Sequence, residues 1–397
     1  MTLALVLLAY GVLAVSHIAL QLALAVSHQI RFWLGIRRHP LPAVSAAWPT
    51  AAVIVTSYNE SLIDLQTCIL SITRQDYPGL RIVCVDDGSS DLTDEDREIY
   101  AELQSHEAVD VLFLAENTGK RNAQMVALAR VTAEIIVTMD SDTSLQDPAA
   151  LRKLVHTLRD NPRVGAVTGN VYTANRNRNL LTRITALRYW NAFYQERAAQ
   201  SLFGCVLCCS GPLSAYRHSF LVAVEHDYLN ERFMGQICTF GDDRHLTNLA
   251  LANGWQAKFS PNASAYTIVP HTFRQYRRQQ VRWNKSFYRE ALWTFRHLRS
   301  RNLYLWYDLA MQVVLPFMFL GALGTLLAQS TATPGLLWRY LLVMVGIGLL
   351  RVSYGLIKTR DVQFLLFSIF GLFYLSVVLS CRFFALATIN RTGWGTR

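Results

Sequence analysis

Long apolar segments at both ends of the chain limit most strongly what it can fold into. Residues 3–26 carry no formal charge and are long enough to cross a hydrocarbon core about 30 Å thick. A cleaved signal peptide has a shorter apolar core with basic residues before it, so this segment predicts a membrane anchor instead. Further apolar stretches cover residues 303–328, 335–357 and 362–390, and Pro316 interrupts the first of them. These segments predict a polar region held between membrane spans.

Arginines next to the first apolar segment predict its orientation. Arg31, Arg37 and Arg38 follow it, and an excess of basic residues beside a span marks the cytoplasmic side. We therefore expect residues 1–30 to form a transmembrane helix with its N-terminus outside the plasma membrane, and the polar region to lie in the cytosol. The stretch 362–390 is long enough for one tilted span or for a span with an interfacial helix, and the pattern leaves both open.

Charge and cysteine content narrow the class of protein further. The net charge is +10, but charged residues make up only 17% of the sequence, which is low for a soluble protein. The arginines cluster beside the apolar segments, where they face anionic lipid or a phosphorylated substrate, so we expect no nucleic acid partner. The sequence CVLCC, residues 205–209, superficially suggests zinc, but no second Cys/His pair follows at finger-like spacing. Seven scattered cysteines on a cytosolic face predict reduced thiols.

The polar middle, residues 50–270, alternates candidate strands with candidate helices. Apolar β-rich runs occur in AAVIVTSYNE, LRIVCVDDGSSD, VDVLFLAEN and AEIIVTMDSDT, and helical stretches such as LIDLQTCILSITRQ and GKRNAQMVALARV separate them. This alternation predicts an α/β domain with a parallel sheet covered on both faces. Ligands bind such sheets at the carboxyl ends of the strands. Those ends carry Tyr58, Asn59, Glu60, Asp86, Asp87, Asp140, Ser141 and Asp142.

Asp140 and Asp142, in the sequence MDSDT, are the most informative of these residues. Two carboxylates two positions apart at a strand end can both reach one divalent ion and its diphosphate. Mg²⁺ and Mn²⁺ prefer oxygen ligands and share their coordination sphere with substrate phosphates. A solvated turn is the alternative, because Asp and Ser are common turn residues. The second acidic strand end, VDDGSSD, favours the interpretation as a metal and diphosphate site.

Two further motifs carry groups suited to phosphate binding and to proton transfer. Lys120 and Arg121, in ENTGKRNAQ, stand at a predicted helix start, which suits a phosphate, although a solvated loop is the alternative. Asp242 and Asp243, in FGDDRHLTN, begin another predicted helix. A carboxylate here can act as a general base toward a substrate hydroxyl, or it can cap the helix. The segment CCSGPLSAYR contains a Ser-Gly-Pro turn that either admits a ligand close to the backbone or is purely structural.

Four motifs occur along the chain in the order VDDGSSD, MDSDT, GDDRHLTN and QQVRW. Together they resemble the processive family-2 glycosyltransferases, which include cellulose, chitin and hyaluronan synthases. The last motif matches the Gln-x-x-Arg-Trp signature of that family through Gln279, Arg282 and Trp283. GDDRHLTN, RWNKSFYRE and the tail FALATINRTGWGTR further resemble class I hyaluronan synthases. The related chitin oligosaccharide synthases have Glu where this chain has Asp242, and they lack the ending found at residues 394–397.

The resemblance implies an α/β GT-A-type cytosolic glycosyltransferase domain inserted between transmembrane helices. The implied partners are UDP-GlcNAc, UDP-glucuronate, the growing hyaluronan chain and membrane lipid, and the implied cofactor is Mg²⁺ or Mn²⁺. We expect a monomer. The single N-terminal span departs from the two spans of many hyaluronan synthases. The implied parts are a GT-A domain at 31–272, interfacial amphipathic helices with the Gln-x-x-Arg-Trp motif at 273–302, a transmembrane region at 303–390 and a cytosolic tail at 391–397.

The resemblance also assigns a role to each matching residue. The assigned roles are uridine binding by Tyr58, Glu60 and Asp86; nucleotide contact by Lys120; metal and diphosphate binding by Asp140 and Asp142; proton abstraction from the acceptor by Asp243; stabilisation of the leaving diphosphate by Arg282 with Gln279; stacking on the acceptor sugar by Trp283; and gating near the nucleotide pocket by Trp394.

The expected reaction is a single in-line displacement with inversion at the anomeric carbon, because no Cys or Ser nucleophile with a paired His is evident. The expected product is hyaluronan, secreted through a channel formed by the spans of the same chain. Two other functions compete with this prediction. One is a chitin-type synthase that uses UDP-GlcNAc alone, and the other is a membrane channel that exports a polysaccharide without making it.

Overall fold

An eight-stranded mixed sheet with helices on both faces forms the centre of the protein. The structure is a computed structural model that describes residues 2–90, 92–300, 302–330, 335–368 and 370–391. The strands are β1 Ala51–Ser57, β2 Arg81–Asp86, β3 Val109–Phe113, β4 Ile135–Asp140, β5 Thr143–Ser144, β6 Val164–Thr173, β7 Ser214–Arg217, β8 Arg232–Phe233, β9 Gln236–Ile237 and β10 Gln256–Thr267.

Helices surround this sheet and extend away from it. A π-helical segment, Ala192–Arg197, joins α6 to α7. The α-helices are α1 Thr2–Arg38, α2 Leu62–Thr73, α3 Asp94–Gln104, α4 Lys120–Leu128, α5 Ala150–Arg159, α6 Leu180–Asn191, α7 Ala198–Leu202, α8 His218–Leu229, α9 Asp242–Ala252, α10 Phe273–His297, α11 Leu303–Ser330, α12 Leu336–Thr359, α13 Phe370–Phe373 and α14 Leu379–Ala387.

The sheet order is β3-β2-β1-β4-β7-β6-β10-β5. The four strands predicted from the sequence occupy its first half, and their three pairings are parallel, as predicted. β1 is buried along its whole length, as expected for a strand covered on both faces. The second half includes β7, which runs antiparallel to both β4 and β6 and makes the sheet mixed rather than parallel. Its four residues are too few to show a strand period, so the sequence indicates only the turn before it.

Two apolar cores lie on opposite faces of the sheet. Helices α2, α3 and α5 cover one face, where Leu65, Leu103 and Leu154 are fully buried. Helices α4, α8 and α9 cover the other face. Because apolar cores cover both faces in the described residues, the carboxyl ends of the parallel strands are where such a sheet binds a ligand. The fold therefore directs the functional site to the loops that follow β1, β2 and β4.

Three helices in the described residues are long and apolar enough to cross a membrane: Leu5–Arg38, Leu303–Gln329 and Trp338–Thr359. Between 11% and 33% of each is buried within the protein, so most of their apolar surface faces outward. Pro316 lies inside α11 without ending it, so the interruption expected there is wrong. Membrane helices tolerate proline because neighbouring groups satisfy the backbone that it frees. The stretch 362–390 forms only short helical segments in its described part, which include a 3₁₀ helix, α13 and α14.

A buried carboxylate joins these helices to the sheet domain. Asp308 of α11 is fully buried and accepts hydrogen bonds from three amides, at 3.2 Å from Gln21 Nε2, 2.7 Å from Gln200 Nε2 and 2.8 Å from Gln312 Nε2. Gln21 belongs to α1 and Gln200 to α7, so the carboxylate links the two long apolar helices α1 and α11 to α7 of the central domain. Farther along, Arg351 donates to Glu196 at 2.9 Å. A polar group placed among apolar helices is costly unless its hydrogen bonds are satisfied in this way.

We expect Asp308→Ala to lower the free energy of unfolding by about 3 kcal/mol, because it leaves three amide groups without their shared acceptor. Thr325→Val is the matched control on the same helix, since the Thr325 hydroxyl bonds to Gly321 O within α11 at 2.8 Å. The control should lose less than about 1 kcal/mol. Unfolding of both variants in one detergent measures the difference, and equal losses would contradict the role given to Asp308.

Candidate active site

The ends of β1, β2 and β4 meet at one edge of the sheet. Ser57 pairs with Asp86 and Thr56 pairs with Asp140, so the two acidic strand ends lie on either side of β1. The loop after β1 contains Tyr58 and Glu60. The register of the parallel strands thus brings together the residues that the alternating pattern predicts at this edge.

Asp140 and Asp142 form the centre of the site. Asp140 Oδ1 accepts a hydrogen bond from Lys120 Nζ at 2.7 Å. The hydroxyls of Thr143 and Thr267 donate to Asp142 Oδ1 at 3.3 and 3.0 Å. Burial and the negative charge of Asp140 raise the pKa of Asp142 to about 7. Two close carboxylates in an oxygen-rich setting are the donor set that Mg²⁺ or Mn²⁺ prefers.

Gly211 forms a wall of this site. It lies in the turn that precedes β7, and a Cβ at this position would lie 2.7 Å from both carboxylate oxygens of Asp140. The Gly211 N–H also donates to Asp243 Oδ2 at 2.8 Å. The Ser-Gly-Pro segment is therefore a turn that brings its backbone close to Asp140 and Asp243, and the approach of a ligand to that backbone remains a prediction. A residue without a side chain is required here for a steric reason.

Asp242 and Asp243 begin α9, but neither aspartate is its N-cap. The cap is Gly241, at φ +92°, and no side chain bonds to the helix end there, so capping by either aspartate is wrong. Asp242 Oδ2 instead lies 3.2 Å from Lys120 Nζ. Lys120 therefore bridges Asp140 and Asp242. Asp243, the next residue after Asp242, accepts from the Gly211 N–H, and Gly211 in turn lies against Asp140.

The two adjacent aspartates have opposite pKa shifts. Burial alone raises the pKa of Asp242, but the charges of Lys120 and Arg121 and the hydrogen bonds to Asp243 and Lys120 together outweigh it and lower that pKa to about 2. Burial, followed by the charge of Asp242, raises the pKa of Asp243 well above its ordinary value. Such a divergence separates a permanently charged carboxylate from one that can exchange a proton. Asp243 is thus the better proton acceptor of the pair.

Asp86 is held firmly at the end of β2. Ser89 N donates to Asp86 Oδ1 at 2.8 Å and the Tyr100 hydroxyl donates to Oδ2 at 2.6 Å, and the residue is 2% exposed. Asn59 connects this loop to the loop after β1, because it donates to Ser89 Oγ at 2.8 Å. A cavity of about 340 Å³ opens beside the two loops, with Glu60 in its lining. Contact of uridine with Asp86 remains a prediction.

Asp87 and Tyr189 are two residues of the site region to which the motifs assign no role. Asp87 accepts from Thr118 N at 2.8 Å and from Gly119 N at 2.9 Å, so it fixes the backbone just before Lys120 at the start of α4. The second Asp of VDDGSSD is the sequence signal for it. Tyr189 is partly buried near Asp142 and Asp140, and this burial together with their charges raises its pKa. It lies in no motif, so only the fold reveals it.

The Gln-x-x-Arg-Trp motif lies in the first half of α10. The Trp283 ring is 6.3 Å from the Tyr189 ring at an angle of 47°, and 41% of Trp283 is exposed. This tryptophan is thus a neighbour of Tyr189, whose pKa the aspartate pair helps to raise. The side-chain oxygen of Gln279 is buried and accepts no hydrogen bond from the described residues. Arg282 lies beside Trp283 on the helix, whereas Trp394 lies outside the described residues.

One protein family and two individual proteins are similar to this chain in sequence. Residues 49–286 match the family described as "Glycosyltransferase like family 2". An "N-acetylglucosaminyltransferase" of Mesorhizobium japonicum is 36% identical over 357 residues, which cover 90% of this chain and 84% of that protein. "Hyaluronan synthase 2" of Rattus norvegicus is 31% identical over 388 residues, which cover 87% of this chain and 69% of that protein.

A solved structure is similar along nearly the whole chain. It is "Mannosyltransferase PcManGT from Pyrobaculum calidifontis in complex with GDP-Man and Mn2+", with a TM-score of 0.62 and 21% sequence identity. The alignment covers 94% of this chain and 98% of the other. At this identity the likeness concerns the fold.

Proposed function

This chain belongs to glycosyltransferase family 2 and has the GT-A-type fold that its motifs predict, and we propose that it transfers N-acetylglucosamine from UDP-GlcNAc to a hydroxyl group of a growing sugar chain. The observation that carries this proposal is the contact of Gly211 with both Asp140 and Asp243. Asp140, to which we assign diphosphate binding, and Asp243, to which we assign proton abstraction, then lie on either side of Gly211. Transfer needs both groups at one sugar, because one stabilises the leaving group and the other activates the acceptor.

Asp140 and Asp142 are the residues that would hold a divalent cation, Mg²⁺ or Mn²⁺. The oxygen donors and the bare wall at Gly211 support this assignment. When bound, such an ion neutralises negative charge on the diphosphate of the donor. Lys120 and Arg282 add positive charge on the protein side, which stabilises UDP as it leaves. The nucleoside is assigned to the loops that contain Tyr58, Glu60 and Asp86.

Asp243 accepts the proton of the attacking hydroxyl group. Its raised pKa makes the ionised carboxylate a stronger base than an exposed aspartate, and the Gly211 N–H holds one of its oxygens in place. The hydroxyl oxygen attacks the anomeric carbon while the bond from that carbon to the diphosphate breaks, and UDP departs with the bonding electrons. A single displacement of this kind inverts the configuration of the anomeric carbon.

Trp283 binds the acceptor sugar, and its partial exposure beside Tyr189 supports this role. We expect Trp283→Ala to raise the KM for a GlcNAc oligosaccharide acceptor about fivefold, since the lost ring contact is worth about 0.5–1.5 kcal/mol. The KM for UDP-GlcNAc should stay within about twofold. Leu292→Ala is the control, because Leu292 is on the same helix and 43% exposed. An increase confined to the KM of the donor would contradict an acceptor role.

Two products are compatible with this chemistry, and the relatives support both. The rhizobial N-acetylglucosaminyltransferase is the more similar of the two enzymes, at 36% against 31%, which supports a product of GlcNAc alone, as in chitin oligosaccharide synthases. Asp242 and the Trp-Gly-Thr-Arg ending support hyaluronan, with UDP-glucuronate as the second donor. In the structure Asp242 is the aspartate that pairs with Lys120, so the position that differs from the chitin-type enzymes lies within the site.

Digestion of the product distinguishes the two functions. Purified protein with Mg²⁺ or Mn²⁺ receives labelled UDP-GlcNAc with and without UDP-glucuronate, and the product is sized before and after hyaluronidase or chitinase. Polymer that requires both donors and is cut by hyaluronidase identifies a hyaluronan synthase. Product formed from UDP-GlcNAc alone and cut by chitinase identifies the chitin-type function. Binding of UDP-GlcNAc without any transfer would contradict both and favour the export channel.

The membrane part of the proposal rests on the connection between the site and the spans. α10 carries Trp283 and ends at His297, and α11, which is long and apolar enough to cross a membrane, begins at Leu303, so the helix assigned to the acceptor precedes a candidate span in the chain. This order along the chain supports the entry of a growing polymer into the spans next to α10. We place the catalytic domain in the cytosol beneath the plasma membrane, with the polymer leaving through the helices of the same chain.

A further inference from the structure

Four buried charged side chains lie behind the active site, between α4, α9 and α10. They are Arg121, Glu231, His245 and Glu290, and each is at most 8% exposed. Charges buried to this extent are costly in free energy unless they are paired and hydrogen-bonded. None of the four has a role in the transfer step described above.

Glu290 is the residue that connects two helices in this cluster. Its Oε2 lies 3.2 Å from His245 Nδ1 and accepts a hydrogen bond from Asn248 Nδ2 at 2.8 Å. Both partners are on α9, one turn apart, and Glu290 is on α10. Glu231 pairs with Arg121 and lies 4.0 Å from His245 Nδ1.

The cluster is a network of two basic and two acidic side chains. Burial alone lowers the pKa of His245, but Glu290 and Glu231 outweigh it and raise that pKa. Two glutamates and a histidine also make a set of possible metal ligands. Here Arg121 bonds to Glu231 and Asn248 bonds to Glu290, so protein groups already occupy both carboxylates, whereas the buried His245 Nε2 has no hydrogen-bond partner among the described residues.

The same stretch of α10 contacts the start of α9 at two further points. A Cβ on Gly241 would lie 2.3 Å from Ser286 Oγ, so the two helices touch closely there. Arg289, which is fully buried, donates to Cys238 Sγ and Phe240 O, both at 3.2 Å. The segment from Cys238 to Asn248 is thus fixed to α10 both before and after Asp243.

We propose that Glu290 is a positioning residue, which holds α9 against α10 through His245 and Asn248 and so sets the position of Asp243 relative to Arg282. Arg282, Ser286 and Glu290 are spaced four residues apart and share one face of α10. α10, which carries Arg282, therefore also packs against α9, which carries Asp243. This inference rests on the proposed function, in which those two groups act on one sugar.

Glu290→Gln tests the proposal, because it keeps the size of the side chain and removes its charge. We expect the kcat of GlcNAc transfer to fall about thirtyfold while the KM for UDP-GlcNAc stays within twofold, since small displacements of reacting groups cost up to about 100-fold in rate. Asn248→Ala is the milder second variant and should lower kcat about fivefold. Thr294→Val is the matched control, because Thr294 is 2% exposed on the same helix and leaves the Glu290 side chain unchanged.

Hydrogen exchange of residues 242–248 gives a readout that does not need activity. We expect exchange there to quicken at least tenfold in Glu290→Gln and to stay unchanged in Thr294→Val. A fall in kcat together with faster exchange, seen only in the Glu290 and Asn248 variants, supports the proposal. Unchanged exchange in Glu290→Gln overturns it, and so does a kcat equal to that of the control. A wild-type protein that transfers no sugar overturns the proposed function, while the exchange result still tests the contact between the helices.

Discussion

Asp243→Asn is expected to lower the rate of sugar transfer about 1,000-fold, within the range usual for loss of a general base. An amide cannot accept the proton of the acceptor hydroxyl, but its oxygen can still accept the Gly211 N–H that now bonds to Asp243 at 2.8 Å. The variant should therefore fold, insert into the membrane and bind UDP as the wild type does. Transfer is measured with labelled UDP-GlcNAc, and UDP affinity by calorimetry.

Asp227→Asn is the control for this variant, because the Asp227 side chain is 70% exposed and lies outside the site. It should retain wild-type activity. If Asp243→Asn still made product at a rate within tenfold of the control, Asp243 would not be the base. Asp242 is a poor candidate for the base in its place, since its surroundings, Lys120 first among them, lower its pKa to about 2.

Gly211→Ala has the second largest expected effect, a fall of about 100-fold in kcat. The added Cβ would lie 2.7 Å from both carboxylate oxygens of Asp140, so either Asp140 or the turn must move. A displacement of this kind separates Asp140, to which we assign diphosphate binding, from Asp243, which the same glycine holds. Gly211 is not among the residues with positive φ, so the loss reports crowding rather than backbone strain.

Gly35→Ala is the control for Gly211, because a Cβ there meets no other atom within 4 Å and the residue lies inside α1. Activity in this variant should be unchanged. The melting temperature of both variants, measured in the same detergent, separates loss of activity from loss of folding. A Gly211→Ala enzyme with wild-type kcat would show that Asp140 does not need its present position.

The sequence predicted the features that have a local signature. Apolar runs of strand length identified β1 to β4, and their parallel pairing placed Asp86 and Asp140 at one edge, as expected. Residues 3–26 and the stretches at 303–328 and 335–357 correspond to the three long apolar helices. Each of these features repeats a period or a composition over many residues, which a single sequence can show.

Contacts between distant residues have no such signature. The bridge from Lys120 to Asp140 and Asp242 depends on where α4 and α9 cross the sheet edge. β7 places Gly211 against the site, but it is too short for its pattern to indicate a strand. The capping role considered for the two aspartates failed because Gly241 takes a left-handed conformation that ends the preceding loop without a side-chain cap.

The most direct test of the proposed function is the anomeric configuration and yield of product made by the purified protein from UDP-GlcNAc. Nuclear magnetic resonance of the product, with UDP release measured in the same sample, gives both quantities. Single displacement predicts one UDP released for each sugar added, and β-linked GlcNAc from the α-linked donor. An α-linked product, or UDP release without GlcNAc in a polymer, would contradict a polymerising transferase in which Asp243 activates the acceptor.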